Sequence, residues 1–81
     1  MPRTRKQIKP HELRSVVLHG VEYVVHWERM TLGSSFFLPT TATVAQVKSA
    51  IRAAVKTYGY QVELRTRREY DRFGVRVWRV R

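Results

Sequence analysis

Thr43-Val44-Ala45-Gln46-Val47-Lys48-Ser49-Ala50-Ile51-Arg52-Ala53-Ala54-Val55-Lys56-Thr57-Tyr58-Gly59 is the stretch on which the reading of this chain turns. Thr43 suits an N-cap, because its hydroxyl can accept from a first-turn backbone N–H, and Gln46 three residues on completes a capping box. Val44, Val47, Ile51, Ala54, Val55 and Tyr58 recur at three-and-four spacing and make one apolar stripe. Gly59 stands where a left-handed C-terminal cap is expected. The spacing predicts a helix over residues 43–58 with one face that another layer must cover.

On both sides of this helix the period shortens to two. Upstream, Val16-Val17-Leu18 and Val21 to Trp27 flank His19-Gly20, and a glycine in second place suits a two-residue hairpin turn, which needs positive φ there. Val21, Tyr23, Val25 and Trp27 then share one face, with Glu22, Val24, His26 and Glu28 on the other. Thr31 to Ser34 read as a loop, and Ser35 to Leu38 as a short strand stopped by Pro39. Downstream, Tyr60, Val62, Leu64 and Thr66 alternate with Gln61, Glu63, Arg65 and Arg67 as a half-buried strand. Arg68 to Gly74 read as the turn into a closing strand, Val75 to Val80. Its alternation is broken, since Trp78 and Val80 cannot join the face of Val75 and Val77; a bulge would reconcile them, with Trp78 in the core.

These elements predict an α+β fold in β-β-β-α-β-β order: an antiparallel sheet of four to five strands, one amphipathic helix packed on one face, and the other face open. Residues 14–81 form the single domain and residues 1–13, with Pro2 and Pro10 and no periodicity, a flexible basic arm. Eighty-one residues leave room for one small core, and with no cysteine there is neither a disulfide nor a thiolate site to staple it. Such a small core and open strand edges invite a homodimer. No apolar run approaches a membrane span and no signal core follows the basic start, so membrane partners are not expected.

The net charge is +10 and unevenly placed. Residues 15–42 carry a net of −1, while residues 1–14 carry +4, residues 43–60 carry +3 and residues 61–81 carry +4. Arginine dominates, and its planar fork matches phosphate bidentately. Three basic groups follow. Lys48, Arg52 and Lys56 recur every four residues on the helix, expected opposite the apolar stripe, either as a ridge tracking phosphates or as an ordinary solvated face. Arg65, Arg67, Arg68, Arg72, Arg76, Arg79 and Arg81 decorate the C-terminal hairpin among Tyr70, Phe73 and Trp78, an arrangement suited to a groove-binding ribbon or to stacked bases, or else to solubilising strand edges. Arg3, Arg5 and Lys6 would let the arm follow phosphates.

Catalytic signals are weak. His11, His19 and His26 have no helical i, i+4 pairing, and no glycine-rich phosphate loop is present. The six carboxylates, each with arginine near in sequence, read as ion-pair partners rather than as acid–base or metal-binding groups. Catalytic residues, metals and cofactors are therefore none in this reading. Function points to a nucleic-acid-binding accessory protein, with DNA ahead of RNA and the C-terminal hairpin as principal contact.

Two segments carry a resemblance. Trp27-Glu28-Arg29-Met30-Thr31-Leu32-Gly33-Ser34-Ser35-Phe36-Phe37-Leu38-Pro39 resembles the W-x-x-M-x-x-G-x-S-F-F-x-P segment of small phage-encoded proteins. Gly74-Val75-Arg76-Val77-Trp78-Arg79 is similar to their closing G-V-R-V-W-R. The resemblance spans about residues 24–80 and implies a phage or prophage source and a life in the cytoplasm of a bacterial host, rather than a particular activity; that setting supplies the alternative function, a module that binds and modulates a host protein such as a polymerase or defence factor.

Overall fold

A computed structural model describes residues 13–81. Arg3, Arg5 and Lys6 of the expected arm, and His11, lie outside the described residues. The folded part reaches back at least to Leu13, which is buried.

The order of elements is the expected one. Strands β1 (Ser15–Leu18) and β2 (Val21–Val24) lead through a 3₁₀ turn (Trp27–Arg29) to β3 (Ser35–Pro39), helix α1 (Val44–Tyr58), β4 (Val62–Glu69) and β5 (Arg72–Arg79). α1 starts as its sequence dictates. The Gln46 N–H donates to Thr43 Oγ1 at 3.2 Å, and the Thr43 N–H donates to Gln46 Oε1 at 2.9 Å. Gly59 ends it in the left-handed region at φ 70°, its N–H returning to carbonyls of the last turn. β1 and β2 join through His19 and Gly20, both at positive φ, the backbone that a two-residue hairpin requires.

The strands divide between two antiparallel sheets rather than filling one. β1 pairs only with β2, and the second sheet has the order β3-β5-β4. Two features cause the split. β2 ends at Val24, and the chain then closes into the 3₁₀ turn, so Trp27 leaves the alternation predicted through it. β3 is an edge strand whose last residue, Pro39, has no N–H to donate. The Tyr23 hydroxyl ties the sheets by donating to the Pro39 carbonyl.

The helix covers β1 and β4, and the core forms where both sheets meet it. Val16, Leu18, Trp27, Leu38, Val47, Ile51, Ala54, Val75 and Val77 are all buried. Val21 keeps the face of Tyr23 and pairs with buried Leu18, yet beside the hairpin turn it is 52% exposed. Val75 and Val77, on the central strand, are fully buried.

The C-terminal hairpin differs most from expectation. Its turn is only Tyr70-Asp71, both at positive φ, and the ladder runs unbroken from Val62 opposite Arg79 to Glu69 opposite Arg72. No bulge interrupts it, so Trp78 falls on the face opposite Val75 and Val77 and is not a core residue. Gly74 is a strand residue rather than a turn residue, lying between Arg67 of β4 and Pro39 of β3. A Cβ there would intrude on the Leu38 carbonyl oxygen and come within 2.6 Å of Phe37 Cζ. Gly74→Ala is therefore expected to destabilise the fold by about 1–3 kcal/mol through overpacking against backbone, measured as a lowered denaturant midpoint with an unchanged slope.

Candidate nucleic-acid interface

Strand alternation sorts the basic residues of the hairpin onto two faces. Val62, Leu64, Thr66 and Arg68 of β4 share the helix side with Phe73, Val75, Val77 and Arg79 of β5. Glu63, Arg65, Arg67 and Glu69 share the outer side with Arg72, Gly74, Arg76 and Trp78, and Ser35 and Phe37 of β3 extend that side. The seven C-terminal arginines thus do not form one contact set.

Several are held by the fold itself. Arg76 lies at the centre of the outer face, where its Nε and Nη2 donate to both oxygens of Glu69 at 2.6 Å each and its Nη1 donates to Ser35 Oγ at 2.7 Å. Its guanidinium also lies 5.8 Å from the Phe37 ring centroid. A bidentate arginine–carboxylate pair of this geometry is strongly oriented. The Arg76 hydrogen bonds hold the Glu69 carboxyl below its ordinary value, with the Arg67 charge adding to the effect, and Glu69 in turn raises the pKa of Arg76. Arg67 approaches the same carboxylate at 3.3 Å, and Arg65 pairs with Glu63 at 2.5 Å. Arg79 is structural: its Nη1 donates to the Met30 carbonyl at 2.6 Å, and its guanidinium lies 3.9 Å from the Tyr60 ring centroid. It fastens the Met30–Ser34 loop to the end of β5, where the Gly33 N–H donates to its carbonyl at 2.8 Å.

Other cations have no carboxylate within ion-pair distance among the described residues. Arg68 and Arg72 flank the hairpin turn, Arg68 beside the exposed Phe73 ring at 5.3 Å. Lys48, Arg52 and Lys56 are exposed along α1, but not opposite its apolar stripe. At about 100° per residue they advance along its flank, and with Ile51, Val55 and Val62 they line a shallow groove of about 170 Å³ between the helix and the start of β4. Arg68 lies further along β4 on the same side as Val62, so the helix row and Arg68 look out over one side of the sheet. Arg81 is exposed at the end of the chain.

Of the five described carboxylates, Glu28, Glu63 and Glu69 are ion-paired, and Glu22 and Asp71 are not. Glu28 takes Arg14 and lies 3.6 Å from His26; a backbone hydrogen bond is the main cause of its lowered pKa, with Arg14 adding to it. Glu22 accepts from the Ser15 hydroxyl. His19 is the turn residue expected, its Nδ1 2.8 Å from Thr41 Oγ1, whereas His26 stands just before the 3₁₀ turn, without a side-chain capping bond, instead of lying on a strand. Among the described residues no three His, Asp or Glu side chains gather as a metal site, and no helix is long and apolar enough to cross a membrane.

A further concavity opens on the C-terminal hairpin. It measures about 540 Å³ on the outer sheet face around Trp78, Arg65 and Arg67. The sequence offers Arg65 and Arg67, interleaved with Trp78, as a surface for stacked bases but places Trp78 itself in the core; the unbulged ladder brings all three to one face.

Glu69 and Glu28 impose a pH dependence whose sign follows from their lowered values. Stability from such a carboxylate is fully present above the ordinary value of 4.5 and is lost as pH falls through the lower value of the folded state. Melting temperature is expected to decline below about pH 4.5, and a Glu69→Gln chain to show a shallower decline from a lower plateau. No family model matches this chain, and neither the curated proteins nor the solved structures searched include a significant match to it.

Proposed function

We propose that this chain is a nucleic-acid-binding accessory protein, DNA before RNA, acting in a phage-infected or prophage-carrying bacterial cytoplasm. The observation that carries the reading is the set of cations without carboxylate partners among the described residues: Lys48, Arg52 and Lys56 on the flank of α1, and Arg68 and Arg72 at the hairpin end. A fold that needed these charges only for ion pairing would set acids beside them, as it does at Arg65, Arg67 and Arg76. Repulsion among unneutralised cations is relieved by a polyanion, and contact with phosphates releases the counterions condensed on it. The helix row takes precedence over most of the hairpin in this reading, because Arg76 and Arg79 are already engaged by the protein.

The alternative, a module that docks on a host protein, draws on Val17 and Val24, which are 59% and 65% exposed on the outer face of the β1–β2 ribbon. A stoichiometric protein partner retained from nuclease-treated bacterial lysate, and lost on Val17→Asp, would favour it.

Fluorescence-anisotropy titration of labelled duplex DNA at several salt concentrations tests the main proposal. With about five phosphates neutralised, log affinity is expected to fall against log salt with a slope of about −4.5. Replacing Lys48, Arg52 and Lys56 together with glutamine is expected to reduce the slope to about −1.8. Affinity indifferent to both salt and these substitutions overturns the reading.

A further inference from the structure

Trp78 is a large aromatic residue that the core does not use. The core's tryptophan is Trp27, which is fully buried, whereas Trp78 is half-buried on the outer face between Glu63 of β4 and Ser35 of β3. Among the described residues no helix covers that face. The concavity of about 540 Å³ there has Trp78 among its lining residues, with Arg65, Arg67 and Glu63 contributing charge. Leu32 and Val80 add apolar surface and are 68% and 45% exposed. The Arg67 guanidinium lies 5.9 Å from the Trp78 ring centroid. Sites for ligands of about nucleotide size commonly measure about 300–1,000 Å³.

These features call for a ligand that is flat, aromatic and attached to negative charge. A lipid chain would have no use for the guanidiniums, and an inorganic anion none for the indole or the apolar rim. Paired bases in a duplex are already stacked on each other and present no free ring to an open sheet face. An unpaired base meets every requirement: its ring stacks on indole, and its phosphates reach arginine.

Resting on the nucleic-acid reading above, we infer that the outer sheet face is a subsite for single-stranded nucleic acid, in which one unpaired base stacks on Trp78 and the adjoining phosphates meet Arg65 and Arg67. Glu63 and Glu69 already neutralise part of the arginine charge here. Stacking therefore supplies more of the affinity on this face, and charge more on the helix flank. The protein would then hold duplex through the helix row and a separated strand on the sheet.

The test uses the full chain with labelled oligothymidylate and labelled duplex, following probe anisotropy and intrinsic tryptophan emission. Because Trp27 is sealed in the core, quenching by the oligonucleotide reports on Trp78. The expected result is quenched emission with single strand, a loss of single-strand affinity of about 5- to 150-fold in Trp78→Ala, and duplex affinity unchanged within about twofold. Trp78→Phe should recover much of the single-strand binding. Thermal melts of both variants check that the fold, whose core excludes Trp78, is intact. Salt-dependent anisotropy without quenching and without loss in Trp78→Ala overturns this inference while leaving the basic surface as a binding site. Equal losses on both probes in a folded variant also overturn it. A polyglutamate probe bound with the same Trp78 dependence would replace the base by an acidic peptide. No binding of either nucleic acid defeats both proposals.

Discussion

The structure depends on burying one tryptophan. Trp27 is completely enclosed, and its indole N–H donates to the Leu13 carbonyl at 2.9 Å. An indole buried without that partner would leave a polar group stranded, so the chain before β1 has to be drawn into the core. Phe36 of β3 meets the ring edge-on at 5.4 Å, and the Tyr60 hydroxyl, just beyond α1, donates to the Trp27 carbonyl at 2.9 Å. Segments distant in sequence thus converge on one residue, which sits between the two sheets and beneath the helix. This joint gives the two-stranded ribbon and the three-stranded sheet one shared core among the described residues.

Strict alternation around this core sets the fate of the charges. Each inward valine on β5 sends its neighbour outward, so Arg76 and Trp78 are on the open face because Val75 and Val77 are inside. On that face Glu69 gathers Arg76 and Arg67, and the network forms a lattice of paired charge. At the chain's end Arg79 binds the Met30 carbonyl and stacks on Tyr60, which couples the last strand to the neighbourhood of Trp27. Composition alone would count all these arginines as available to a polyanion. The fold divides them into those that close hydrogen-bonding requirements of the protein and those left facing solvent.

That division explains which parts of the candidate site were legible. The row Lys48, Arg52 and Lys56 could be read from helical spacing, since neighbours four apart lie on one side of any helix. Its position beside Val62 could not, because it depends on how far α1 is rotated over β4. Arg68 and Arg65 look equivalent in a list of arginines, yet they project from opposite faces because β4 stays extended to Glu69 and residues an odd number apart alternate. Gly74 looked like a turn because glycine serves both turns and close approaches, and only the proximity of Leu38 identifies which.

By itself, the sequence determined the local elements: the capped helix, the His19-Gly20 hairpin, the order of elements along the chain and the α+β class. These follow from short-range rules, namely capping hydrogen bonds, positive φ at turns and the period of apolar residues. Tertiary structure alone decided the split into two sheets, the uninterrupted register of the last hairpin, the outward turn of Trp78, and the pairing of Arg76 with Glu69 and of Arg79 with Met30. Those outcomes depend on which face each strand turns toward Trp27 and on the space left around it. Such long-range competition for one small core is not settled by the spacing of neighbouring residues.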